Sequence, residues 1–312
     1  MLSRYDLSNK FVYKDDEVLG TYVSVFNKLR NGILDCVFDF KINNYIEDKN
    51  ILDEELSREP IAIGIAAIDT TACTIQFDLA AENNIPIITF DSGSDYQHVA
   101  SHIATDNIAA TQTAATQLAY AVEEEGEVIV FVQDSLSMTA KQRLQGFLDT
   151  ISSKFPKVTV AETYKFDQLD AMREAIANEK NAALAEGEQA VKADDLTQDD
   201  VIQYLIEKHP NLKGIYATNL DTTQAVAKVL KKMDKNNLKF VGFDGGNEQM
   251  KLLEDGTLEG LIIQNPYGIG YATVVAAVRI SLGLPNESFV NSGYTWVTKE
   301  NMNTKEIKGM IY

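Results

Sequence analysis

Two short stretches carry the residues best placed to do chemistry. Residues 85–94 read IPIITFDSGS and residues 238–246 read LKFVGFDGG. Each is an apolar run that ends in Phe-Asp and then opens into small residues, the first at Asp91 and the second at Asp244. A carboxylate just past the carboxyl end of a parallel strand lies where open α/β sheets hold ligands. The echo predicts two similar lobes, each offering one acid to a shared cleft. The two acids could also be read as the pair of a glycosidase, but that chemistry needs one carboxyl kept protonated by an apolar surround, which the flanking residues do not provide.

Other catalytic signatures are missing from the sequence. There is no Ser–His–Asp set, no phosphate-binding glycine loop and no CxxC, and GFDGG at 242–246 lacks the spacing of a dinucleotide fingerprint. His98 and His102 are four apart, but the stretch between them reads as the approach to a strand, so a metal site is not expected. Cys36 and Cys73 are too few for a disulfide framework and read as buried thiols. No cofactor is expected, and the chain reads as a binder rather than an enzyme.

The elements that must position these acids are legible from the apolar pattern. Strands are expected at 34–40, 61–67, 85–90, 127–132, 158–164, 213–218, 238–243 and 260–264, as near-continuous apolar runs of the kind that parallel strands buried on both faces require. Helical patterns fall between them near 44–57, 71–83, 107–123, 137–153, 168–185, 198–208, 221–235, 246–254 and 268–282. Strand–helix alternation of this kind implies βαβ units and doubly wound sheets. Asp106 is placed to cap the helix from Asn107, and Thr197 with Asp200 makes a capping-box-like start. Gly32, Gly126 and Gly256 stand where helices end or the chain turns. Residues 178–200 are charged, Ala-rich and poor in large apolar side chains, as an exposed insertion would be.

With 312 residues the chain is long enough for two lobes, and 45% hydrophobic residues supply a core. The net charge of −18 argues against nucleic acid and against an anionic membrane surface, and serves solubility. No 18-residue apolar run is present, and the amino-terminal MLSRYDLSNK lacks the apolar core of a signal peptide.

Several of these segments together resemble the type I periplasmic solute-binding proteins, specifically the ribose-binding-protein-like sugar binders of ABC importers. The likeness lies in NNIPIITFDSGSD running on to SHIATDN at 101–107, in TAKQRLQGF at 139–147 and in IYATN at 215–219. It continues in VGFDGG at 241–246, LEDGTLEGLIIQNPYGIGY at 253–271 and YTWVTKENM at 294–302, so that it covers the chain from about residue 44 onward. The resemblance implies an α/β fold of two doubly wound parallel-sheet lobes joined by three hinge crossings, near Thr105–Asn107, Gln264–Pro266 and Gly293–Trp296. The lobes would be 1–105 with 266–293, and 106–265 with 294–312.

The resemblance also implies a sugar in the interlobe cleft, held by Asp91, Ser92, Arg143, Phe166, Asn219, Asp244 and Gln264. Ionised Asp accepts hydroxyl protons, Arg donates as a rigid fork, Asn and Gln do both, and Phe166 would wall the ring. Ser92 departs from the ribose binders, which carry Arg there, and implies a larger or differently wired pocket. Asp69 is a weaker candidate on another strand-end loop. The amino terminus departs further: FVYKDD at 11–16 is a short, poorly apolar strand, Tyr13 is the one aromatic in place to stack, and a helix is expected from near Glu17.

The partners implied are a small sugar and the membrane permease of an ABC importer. The protein is expected to be monomeric and extracytoplasmic, with its export signal absent from this chain. Two other readings share the fold: a sensor subunit for a membrane kinase or chemoreceptor, and the effector domain of a lactose-repressor-type regulator. The second lacks a basic helix-turn-helix in its first sixty residues.

Overall fold

A computed structural model describes residues 52–312, apart from 70, 186–188 and 236, together with the backbone of two strands at 20–30 and 33–42. Two six-stranded sheets form the frame. The first contains β1 (Gly20–Arg30), β2 (Ile33–Ile42), β3 (Ala62–Ile65), β4 (Ile87–Phe90), β5 (Val99–Ala104) and β11 (Phe289–Asn291), in the order β11-β5-β4-β3-β1-β2. The second contains β6 (Gly126–Val132), β7 (Val158–Lys165), β8 (Leu212–Ala217), β9 (Lys239–Phe243), β10 (Gly260–Gln264) and β12 (Tyr294–Val297), in the order β12-β10-β9-β8-β6-β7.

Helices follow most strands: α1 at 52–56, α2 (Thr74–Glu82), α3 (Asn107–Ala121), α4 (Met138–Lys154), α5 (Leu169–Ala182), α6 (Gln198–Lys208), α7 (Leu220–Met233), α8 (Asn247–Glu254), α9 (Pro266–Ser281) and α10 (Lys305–Lys308). The central strands run parallel from β3 through β4 and β5 to β11, and from β7 through β6, β8 and β9 to β10. Ile63, Ile65, Ile88, Val130, Ile215, Val241 and Ile262 are almost wholly buried, as strands covered on both faces demand. The doubly wound two-sheet α/β fold anticipated above is therefore the fold adopted.

One end of the first sheet differs. The segment from 20 to 30 is a strand, where a helix from near Glu17 was expected. GTYVSVFNKLR is rich in β-branched and aromatic residues, which favour a pleated, half-buried surface over a helix. β1 runs antiparallel to both β2 and β3, so β2 enters the sheet through a hairpin and not, as its apolar run implied, as a parallel strand. Two residues suffice to join an antiparallel pair, whereas a parallel pair needs a long crossover. The FVYKDD segment, Tyr13, Gly32 and residues 44–51 of the expected 44–57 helix lie outside the described residues; 52–56 are helical.

The chain passes between the sheets three times: at 105–106 from β5 into α3, at 265 from β10 into α9, and at 292–293 from β11 into β12. These crossings are laced together. The Thr105 hydroxyl donates to Gly293 O (3.4 Å), Asp106 N–H to Asn291 Oδ1 (3.2 Å), and Asn265 Nδ2 to Ser292 O (3.3 Å). Gly293 has a φ of +80°, a left-handed turn suited to glycine. Asp106 caps α3 by accepting from Ala109 N (2.9 Å), and Thr197 and Asp200 form a reciprocal capping box on α6. α3 is Ala-rich and packs closely on α4, where a Cβ at Gly146 would fall 2.9 Å from Ile108 O. No helix among the described residues is long and apolar enough to cross a membrane.

Candidate functional site

The two echoing acids occupy equivalent places. Asp91 follows β4 and Asp244 follows β9, with φ of +52° and +74°. Asp tolerates this left-handed conformation better than most residues with a side chain. Each donates its backbone N–H to the neighbouring strand, Asp91 to Ile103 O (2.9 Å) and Asp244 to Ile262 O (2.7 Å). The carboxylates themselves are held differently. Asp244 is 7% exposed and accepts from Gln264 Nε2 (2.7 Å) at Oδ1 and from Leu220 N (3.0 Å) at Oδ2. Asp91 Oδ1 is buried without a hydrogen-bond partner among the described residues.

Arg143 lies in the first half of α4, 3% exposed. Its Nε donates to Asn107 Oδ1 (2.8 Å), its Nη1 donates to Thr218 O (2.8 Å), and its guanidinium lies 3.8 Å from the centre of the Phe243 ring. A planar cation fixed on three sides is the arrangement that Arg and not Lys can satisfy. Thr218, at the end of β8, also donates its hydroxyl to Gln133 Oε1, and Gln133 N–H donates back to the Thr218 hydroxyl (3.2 Å). Thus the carboxyl ends of β6, β8, β9 and β10 are tied into one polar network.

Asn219 caps α7, its Oδ1 accepting from Thr222 N (3.0 Å) and its Nδ2 donating to Asp221 Oδ2 (3.4 Å). Gln264, whose Nε2 donates to Asp244, leaves Oε1 buried and without a partner among the described residues. Ser92, 6% exposed, has a hydroxyl without a partner among the described residues, while its carbonyl accepts from Ala67 N (3.2 Å). The structure places Phe166 in a short 3-10 turn after β7, tilted on Tyr164 at 5.6 Å and edge-on to Phe131 at 6.5 Å, both core residues. Asp69 Oδ1 caps a turn by accepting from Thr71 N (2.9 Å) and Ala72 N (3.1 Å).

The sheets approach each other at this place. Burial pushes the Asp91 carboxyl up, while Arg143 pulls it down and Asp244 pushes it up again, so groups on both sheets share one field. A Cβ at Gly93 would fall 2.7 Å from Met138 Sδ on α4, a direct contact between the two halves. Asp221, not singled out in the sequence, belongs here too: burial and then Asp244 push its carboxyl up to about 6, against the Asn219 hydrogen bond. Tyr216 lies fully buried on β8 with an unpartnered hydroxyl, stacked on Phe147 at 4.6 Å, and burial raises its phenol well above the ordinary range. Asn107, Thr218, Tyr216 and Asp221 were missed because a cap, a strand end, a core aromatic and a helix's first turn are ordinary homes for those residue types.

A family model described as a periplasmic binding protein domain matches residues 36–285. The chain belongs to that family. Among curated proteins it is similar to the ribose import binding protein RbsB of Escherichia coli, 25% identical over 247 residues that cover 79% of this chain and 74% of that one. A carbohydrate transporter solute-binding protein from Agrobacterium radiobacter, solved with D-arabinose, is 27% identical with a TM-score of 0.71, covering 86% of this chain and 84% of the other. An ABC transporter solute-binding protein from Agrobacterium vitis, solved with α-D-tagatopyranose, is also 27% identical, with a TM-score of 0.73 and coverage of 86% and 85%. The periplasmic-binding-protein resemblance read from about residue 44 onward is thereby established, with the family model itself matching as far as residue 285. The family match starts inside β2, so the hairpin strand β1 lies beyond it.

Proposed function

We propose that this chain is the extracytoplasmic solute-binding component of a sugar ABC importer. It captures a small sugar or polyol between its lobes, closes on it, and presents it to a membrane permease. The lobes divide as 1–105 with 266–293 and 106–265 with 294–312, and they move about the three crossings. Asp91, Ser92, Arg143, Asn219, Asp244 and Gln264 bind the hydroxyls, and Phe166 borders the site. The protein acts as a monomer and turns nothing over.

The observation that carries this reading is that strand ends of both sheets hold buried polar atoms without partners among the described residues, Asp91 Oδ1 and the Ser92 hydroxyl on one and Gln264 Oε1 on the other, with Asp91 near enough to Arg143 and Asp244 to feel both charges. Buried polar atoms are costly unless bonded, and sugar hydroxyls supply such bonds. A ligand that contacts both lobes only when they are shut shifts an open–closed equilibrium toward closure. A micromolar site needs a net gain of about 8 kcal/mol, so most of the gross contact energy offsets desolvation and ordering.

The test is a thermal-shift screen over pentoses, hexoses and polyols, since a ligand that binds the folded state raises the melting temperature. At least one sugar is expected to raise it and to shrink the radius of gyration in solution scattering. Turnover of a bound sugar would show that the site is catalytic.

A further inference from the structure

We infer that the preferred ligand of this cleft is an amino sugar or amino polyol, bound through a protonated amine as well as its hydroxyls. The inference rests on the sugar-binding reading above and narrows it.

The first support is the balance of charge. Three acids are linked near these strand ends: Asp91 after β4 and Asp221 in the first turn of α7 are each acted on by Asp244 after β9. One cation, Arg143 on α4, stands against them among the described groups that act on one another there, and Tyr216 on β8 is neutral. Arg143 places its Nε and Nη1 on Asn107 and Thr218 and its plane on the Phe243 ring, which fixes where this one positive charge stands.

The second support is the polarity of the unpartnered atoms. Asp91 Oδ1 and Gln264 Oε1 accept, and the hydroxyls of Ser92 and Tyr216 can accept or donate. Among the donors nearby, Leu220 N is spent on Asp244, and the amides of Gln264 and Asn219 each give one of their two protons to a carboxylate, Gln264 Nε2 to Asp244 and Asn219 Nδ2 to Asp221. A neutral hydroxyl brings one proton and two lone pairs. An ammonium brings three protons and no lone pair, which matches a surface with acceptors to spare. Gln264 presenting oxygen rather than nitrogen is itself fixed by Asp244.

The third support is the strain among the acids. Burial and Asp244 hold the Asp221 carboxyl up at about 6, and burial raises Asp91. A cation in the cleft would relieve both at once, because an opposite charge favours the ionised form.

The experiment uses matched sets that differ at one position: D-glucose, D-glucosamine and N-acetyl-D-glucosamine, the galactose and mannose equivalents, and D-glucitol with its 1-amino-1-deoxy counterpart. Each is titrated calorimetrically near neutral pH. In at least one set the free amine should bind about tenfold or more tightly than both neutral members, a difference typical of one charge-assisted bond. That advantage should fall as pH drops through about 6, where Asp221 takes up its proton. Asp221→Asn and Asp91→Asn should each narrow the ratio of amine to neutral affinity by about threefold to tenfold. If in every set a neutral member binds as tightly as the amine, the inference is overturned and the sugar-binding reading stands. An advantage that neither substitution narrows also overturns it. Failure of every neutral and amino compound, in these sets and in the wider sugar screen, overturns both.

Discussion

The two sheets keep one strand order but treat their second strand differently. In the second, β6 and β7 are parallel and α4 crosses between them; in the first, β1 and β2 are antiparallel and two residues join them. The parallel arrangement carries the end of β6 and the first turns of α4 to the cleft, and with them Gln133 and Arg143. β1 runs the other way, with Val23 opposite Ile65, so its amino end lies on the Asp91 side of the sheet. No helix crosses between β1 and β2 to present a counterpart of Arg143. Among the described residues the candidate site is therefore lopsided. The second sheet supplies Arg143, Asn219, Asp221, Asp244 and Gln264, and the first supplies Asp91 and Ser92. A ligand would seat first on the second lobe, and the first would close over it.

The same contrast separates the two acids, and substituting Asp244 should have the largest effect. Asn is the informative replacement because it tolerates the left-handed backbone. Asp244→Asn removes the charge and leaves either Gln264 Nε2 or Leu220 N without its acceptor. Affinity should fall about 100-fold or more, and the free protein should lose about 1–3 kcal/mol of stability. Calorimetric titration and urea unfolding measure the two effects.

Asp91→Asn should break the symmetry between them. It should cost about tenfold or more in affinity yet leave the melting temperature of the free protein unchanged or higher, since Asp91 Oδ1 has no partner among the described residues and its burial disfavours the charge. Equal destabilisation by the two substitutions would sink the distinction between a built-in acid and a poised one.

Gly93→Ala tests the contact between the halves. Its Cβ would meet Met138 Sδ at 2.7 Å across the cleft and His102 Cε1 at 2.9 Å within its own lobe. Overpacking of this kind costs about 1–3 kcal/mol; the part due to His102 weighs on both states and the part due to Met138 on the shut one, so affinity should fall about threefold to tenfold. Met138→Ala in the same molecule should restore part of the loss. A double-mutant cycle without coupling would mean that the contact plays no part in closure.

What could be read from the sequence follows from the same physics. Apolar runs such as EVIVFV and LKFVGF are strands whatever their partners, and Asp106 and Thr197 cap helices by local geometry alone, so the alternation and most element bounds were legible. β1 was not, since a helix was expected from near Glu17; its direction is harder still, because strand polarity depends on which neighbour pairs with it and not on the residues of GTYVSVFNKLR. The short strands β11 and β12 were missed for a related reason: three or four residues carry too little pattern, and pairing with β5 and β10 creates them. Asp91 and Asp244 stood out because strand ends announce themselves. Asp221 did not, because LDTT after a strand reads as the start of a helix, and only the fold brings it under the influence of Asp244.

Asp221 should give the smallest effect, in the pH dependence of stability. Its carboxyl lies at about 6 in the fold against an ordinary 3.8, raised first by burial and then by Asp244. A folded value above the unfolded one means that the unfolded chain releases its proton first. Below the unfolded value both states are protonated and the group is neutral to folding. As pH rises from about 4 to about 6 the unfolded state gains, and above about 6 the full penalty is present. Asp199, Asp200 and Asp255, whose carboxyls are lowered, act in the opposite sense, so the whole-protein curve mixes the two. The difference between wild type and Asp221→Asn isolates one group. The variant should match wild type near pH 4, apart from a constant offset, and gain about 2–4 °C in melting temperature on it by pH 7.5. A gap that stays level across that window would mean that the Asp221 carboxyl is not held up by its surroundings. It would also remove the electrostatic strain that a cationic ligand would relieve.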